Sequence, residues 1–88
     1  MYLARVKAGH DKDHLYLVLK EERNQMYLVN GTTKCTDNPK RKNKKHVQLI
    51  KKLPQEVTDS VDCSRLDENI IIAKLIEAYE QYLRISKD

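Results

Sequence analysis

The five residues Leu15 to Leu19 (Leu-Tyr-Leu-Val-Leu) are too few for a helix and carry side chains that suit a pleated surface. They predict a strand with Leu15, Leu17 and Leu19 on one face and Tyr16 and Val18 on the other. Met26 to Asn30 (Met-Tyr-Leu-Val-Asn) repeats the pattern, and the polar segment Glu21 to Gln25 reads as the turn of an antiparallel pair. Asn30-Gly31 then favours φ > 0 at both central positions of a type I′ turn, so Thr32 to Cys35 is expected to pair back as a short third strand. Upstream, Leu3 to Lys7 predicts a first strand ending at Ala8-Gly9, with His10 to His14 as a polar loop. Downstream, Asp37 to Lys45 is a charged loop, and His46 to Ile50 resumes alternation with Val47 and Leu49 inward. Four or five short strands on tight turns fit a small β-barrel, because a closed sheet hides its edges and needs few residues.

The texture changes at Pro54. Residues 54–63 form an acidic linker without clear periodicity, and residues 64–86 predict an amphipathic helix. Ser64 can cap it, with Asp67 stabilising the first-turn amides. Ile72, Leu75, Ile76, Tyr79 and Leu83 lie on one face, and Asp67, Lys74, Glu77, Gln81 and Arg84 lie opposite. The apolar stripe needs a partner: the outside of the barrel formed by residues 1–53, where Tyr16, Val18, Tyr27 and Val29 would otherwise be exposed, or a second protein chain. The barrel is favoured, since isolated helices of this length are marginal in water.

With 88 residues, no Trp, no Phe and five Tyr, the chain has material for one small core of Leu, Val, Ile and Tyr. A large active-site cleft is not expected. The net charge of +4 hides a segregation: residues 1–53 carry 13 Lys/Arg against 5 Asp/Glu (+8), and residues 54–88 carry 4 against 8 (−4). Such blocks suggest that the first part faces a polyanion. Cys35 and Cys63, 28 positions apart and outside any CxxC, indicate neither a zinc ribbon nor a disulfide framework. The opening residues lack the apolar run of a signal peptide, and no stretch is long and apolar enough to span a membrane, so a reducing, cytoplasmic setting is expected. Asn30-Gly31-Thr32 is formally a glycosylation acceptor, but without a secretory signal the turn reading is preferred.

Ala8-Gly9-His10-Asp11-Lys12-Asp13, between one predicted strand and the apolar strand Leu15 to Leu19, resembles the KOW motif of ribosomal and transcription-factor RNA-binding domains. The chain is similar to small bacterial KOW-domain proteins that themselves resemble a eukaryotic and archaeal large-subunit ribosomal protein family. Asn30-Gly31 before a Thr/Lys segment, and Pro39-Lys40-Arg41-Lys42-Asn43-Lys44-Lys45-His46 before the last strand, carry the same resemblance, which spans roughly residues 4 to 50. It implies a translation-protein SH3-like barrel that touches RNA through inter-strand loops; the helix at residues 64–86 lies outside the motif, and with it the expected fold class is mainly β with one C-terminal α-helix. The chain departs from the family where His10 replaces the usual Arg and Asp13 the usual Gly, so one loop cation is weakened and a permissive turn position is lost.

Lys40, Arg41, Lys42, Lys44 and Lys45 are the main RNA-binding candidates: five cations in six residues, stiffened at the entrance by Pro39. A loop projecting from a barrel would leave them without intramolecular partners. If all five met phosphates, log K would fall against log salt with a slope of about −3.5 to −4.5. The plain alternative is a solvated run that aids solubility, and a third reading takes Pro-Lys-Arg-Lys as a nuclear-localisation peptide. Lys12, His10 and His14 offer a second phosphate contact, flanked by Arg5 and Lys7, and Lys34 joins them from the Thr/Lys segment. As a metal site, His10 and His14 with Asp11 and Asp13 sit in a turn, where this spacing does not align two imidazoles, so no metal is expected. Tyr16 and Tyr27 could stack bases but share the face assigned to the helix and are expected beneath it.

No Gly-rich phosphate cradle, nucleophile elbow or paired apolar carboxylates appear, so no enzyme, cofactor or small-molecule substrate is expected. The sequence therefore predicts a module that grips RNA, ribosomal RNA foremost, by phosphate contacts. The rival is a protein-interaction adaptor that uses the barrel or the apolar helix face.

Overall fold

The computed structural model describes residues 2–61 and 67–85. Five strands form one antiparallel sheet: β1 (Leu3–Val6), β2 (Leu15–Glu21), β3 (Gln25–Val29), β4 (Lys40–Asn43) and β5 (Val47–Ile50), in the spatial order β4-β3-β2-β1-β5. A 3-10 turn (Lys44–His46) joins β4 to β5, and two helices follow, α1 (Gln55–Asp59) and α2 (Glu68–Ile85). The mixed β and α class with a C-terminal helix is the one expected.

The sheet is consistent with a small SH3-like barrel but is not closed, which corrects the expectation of a sealed edge. Among the described residues β4 pairs only with β3, and β5 only with β1. Yet the sheet must be rolled. Its two edge strands are joined by the three residues of the 3-10 turn, which reach at most about 13 Å, whereas the edges of a flat five-stranded sheet stand about 19 Å apart. The rolling explains the inner face. Ala4, Val6, Tyr16, Met26, Leu28 and Val47 are buried together, with Val18 and Leu49 at their margin, and among the described residues no helix side chain joins this cluster. Burial there pushes the Tyr16 hydroxyl pKa above its ordinary value.

The outer face carries the second core. Leu3, Leu15, Leu17 and Val29 pack against Val57 of α1 and Ile72, Leu75 and Ile76 of α2. The helix thus lies on the Leu15–Leu17 side, not over Tyr16 and Val18, which point into the roll; of the four residues expected beneath it, only Val29 is there. Parity decides this. Leu3 pairs with Leu17 and Ile50, and Arg5 with Leu15 and Gln48, so all of them share the outer face.

Leu19 also departs from the expected alternation. The β2–β3 register slips between Val18 and Lys20, leaving Leu19 as the extra residue of a bulge, 42% exposed. Thr32 to Cys35 form no strand, because β3 finds its second neighbour in β4, the segment expected to be a charged loop. Asn30-Gly31 is not a type I′ turn: Gly31 has φ +80, but Asn30 is not among the residues with positive φ. Instead the Asn30 side chain organises the bend. Its Oδ1 accepts from the amides of Thr32 (3.0 Å) and Lys34 (2.9 Å), and its Nδ2 donates to Thr33 Oγ1 (3.0 Å).

The segment expected to be an acidic linker without clear periodicity contains α1, whose Val57 is 2% exposed in the shared core. α2 begins at Glu68, with Asp67 Oδ1 accepting from the Asn69 amide (2.7 Å), so Asp67 itself caps it. Ser64, the expected cap, and Cys63 lie outside the described residues. Among those residues no helix is long and apolar enough to cross a membrane.

Candidate nucleic-acid interface

The cations of Lys40 to Lys45 do not project as a finger. Lys40–Asn43 is an edge strand whose register with β3 sets Lys40 opposite Leu28 and Lys42 opposite Met26, on the inner face, and Arg41 opposite Tyr27, on the outer face. β3 presents an unpaired row of amides and carbonyls, which outweighs the modest strand preference of Lys and Asn. The 3-10 turn follows because Asn43 Oδ1 accepts from the Lys45 amide (2.9 Å) and the Val47 amide closes onto the Lys44 carbonyl.

This placement brings the two predicted basic segments together. The Lys7 amide donates to the His46 carbonyl (2.8 Å), fastening the start of the β1–β2 loop to the 3-10 turn. Across the mouth of the roll, the Lys42 ammonium reaches the backbone at Gly9, 3.5 Å from where a Cβ would stand. Lys40 forms an ion pair with Asp11 of the same loop. Lys7, His10, Lys12, Lys42, Lys45 and His46 therefore border one open end of the molecule, with β4 on one side and the β1–β2 loop on the other. All but Lys42 are exposed, and Lys42 is half-buried.

Two of the five cations have carboxylate partners, contrary to expectation. Lys40 meets Asp11, and Lys44 meets Glu21 at 2.9 Å. The bulge at Leu19 makes the second pair possible: it sets Glu21 opposite Met26 on the inner face, with Met26 between it and Lys42, where regular alternation would have turned it outward. Among the described residues Arg41, Lys42 and Lys45 form no ion pair. Arg5 lies on the opposite, helix-bearing face of the sheet, and Lys34 sits in the Asn30 bend, so neither joins the basic rim. His14 faces a separate cleft lined by Asp13, Asn30, Thr32, Glu77 and Glu80, whose charge disfavours phosphate. Among the described residues no three His, Cys, Asp or Glu side chains are grouped to hold a metal ion.

The β1–β2 loop keeps the shape that a glycine would permit. Asp13 has φ +72, left-handed like Gly9 at φ +92, and its amide donates to the Val6 carbonyl at 2.7 Å. Asp tolerates this region better than most residues, at a cost of about 1–2 kcal/mol.

Tyr27, like Tyr16 and Val18, does not lie beneath the helix where it was expected. It belongs to neither core, is only half-buried, and carries the Lys20 ammonium 5.6 Å from its ring centroid. Only the bulge, which no local pattern announces, tells which face Lys20 takes.

No protein-family model matches the chain, and neither does any curated protein.

Proposed function

We propose that this chain binds RNA through phosphate contacts along the rim formed by β4, the 3-10 turn and the β1–β2 loop. The observation that carries the reading is the convergence of two basic segments, some 30 residues apart in sequence, on one open end of the roll. A run of cations kept only for solubility has no need to be fastened beside a second basic loop. The left-handed Asp13, at the position where KOW-type loops carry Gly, supports the same assignment. Structured RNA is the ligand class, and ribosomal RNA is the one that the family resemblance favours.

The partners of Lys40 and Lys44 lower the expected salt dependence. With Arg41, Lys42 and Lys45 as the run's unpaired cations, the slope of log K against log salt is about −2.1 to −2.7, or roughly 20- to 40-fold between 50 and 200 mM salt. Filter binding at those two concentrations, with wild type and a variant carrying Ala at Lys40, Arg41, Lys42, Lys44 and Lys45, tests this. The variant is expected to lose most of its affinity and its salt slope. Equal retention of RNA by both proteins overturns the reading, and a protein that still co-purified with both would favour the adaptor alternative.

A further inference from the structure

We infer that Tyr27 is a stacking platform for one unpaired base, flanked by Lys20 and Arg41 as phosphate contacts, so that the ligand includes single-stranded nucleotides at the β4 edge. This deepens the phosphate reading above and rests on it.

Three observations converge. First, the outer face changes character along β2 and β3. The pair Leu17 and Val29 lies in the helix-covered core, whereas the next outer pair, Lys20 and Tyr27, lies in neither core. Second, the bulge at Leu19 is what sets Lys20 there. Without the extra residue, Leu19 would oppose Tyr27 and Lys20 would turn into the roll. Bulges commonly re-aim a side chain beside a functional surface. Third, Arg41 opposes Tyr27 from the edge strand β4, and among the described residues β4 has no further strand neighbour and the exposed Arg41 no ion pair.

The chemistry fits a nucleotide better than a bare anion. A tyrosine ring offers a π-face to any base, and the two cations on either side suit the phosphates that precede and follow it. In the free protein the Lys20 ammonium occupies the ring. That contact is weak at an exposed site, so a base can displace it and leave Lys20 free for a phosphate. Arg41 lies on the Tyr27 side of β4 and Lys42 on the opposite side, so a strand crossing this edge would reach both the platform and the basic rim.

The test compares two probes of equal charge at about 50 mM salt: an oligouridylate of about 12 nucleotides and an abasic ribose-phosphate chain of the same length. Wild type is expected to prefer the oligouridylate by roughly 5- to 150-fold, the range that one stacked base spans. Tyr27→Val, which keeps a strand-compatible residue, should abolish that preference while binding the abasic chain as before. Tyr27→Phe should preserve it. Because the chain has no Trp, Tyr27→Trp provides a unique fluorophore, expected to be quenched by the oligouridylate and not by the abasic chain. Equal binding of both probes by wild type, or an unchanged preference in Tyr27→Val, overturns the platform and leaves the phosphate reading standing. Failure of wild type to bind either probe removes both.

Discussion

The two ends of β3 show opposite solutions to the same problem, an extended strand with a face to cover. At the Val29 end the cover is close-fitted. Val29 lies beneath α2, and the next bend presses its backbone against that helix, with Thr36 N donating to Asn69 Oδ1 at 3.0 Å. A Cβ on Gly31 would stand 2.1 Å from the Asn69 carbonyl oxygen and 2.8 Å from the Ala73 nitrogen. At the Gln25 end the inner face is still filled by Met26, but the outer face meets long, charged side chains: Lys20 over Tyr27 and Arg41 beside it. One end holds the fold together by backbone proximity, and the other leaves charge free to bind. Substitutions at the first should therefore change stability and substitutions at the second affinity.

The sharpest way to break that division is Gly31→Ala. The left-handed backbone and the overlap with the α2 backbone together should cost about 3 kcal/mol or more, lowering Tm by roughly 12 °C or more. A melting curve within about 2 °C of wild type would refute the close docking. Asn30→Ala comes next: losing the acceptor for two amides of the bend should cost about 1–3 kcal/mol by chemical denaturation, with RNA affinity per folded molecule unchanged.

At the charged end, the double variant Asp11→Asn, Glu21→Gln releases Lys40 and Lys44. Partly exposed pairs of this kind contribute about 0–1 kcal/mol each, so stability should barely move. RNA binding should strengthen several-fold, with the salt slope steeper by up to about 1.5. An unchanged slope would show that the two lysines take no part in binding. The smallest effect is expected from Asp13→Gly, which relieves the left-handed strain at φ +72. A gain of about 0.5 kcal/mol, or a few degrees in Tm, is expected, and a loss would mean that the Asp side chain holds the loop.

Much of the fold was legible from local pattern. Leu3, Leu15 to Val18, Met26 to Val29 and Val47 to Ile50 fall in strands, and the stripe Ile72, Leu75, Ile76 and Tyr79 packs as a helix face should. The candidate site was legible as chemistry and not as geometry. Lys40, Arg41 and Lys42 were recognisable as cations, but their division between two faces depends on pairing with β3. Gln55–Asp59 escaped notice because a five-residue helix with one buried side chain leaves no period to read.

The amino-acid order alone determined where β1, β2, β3, β5 and α2 lie, and that positive charge collects before Pro54, because side-chain period and charge are local properties. Only the tertiary structure decided that a lysine-rich stretch becomes β4, that α2 covers Leu15 and Leu17 and not Tyr16, and that two distant basic segments meet. The reason is common to all three. An open strand edge, an uncovered sheet face and a one-residue bulge impose hydrogen-bonding and parity constraints that exist only once strands are side by side.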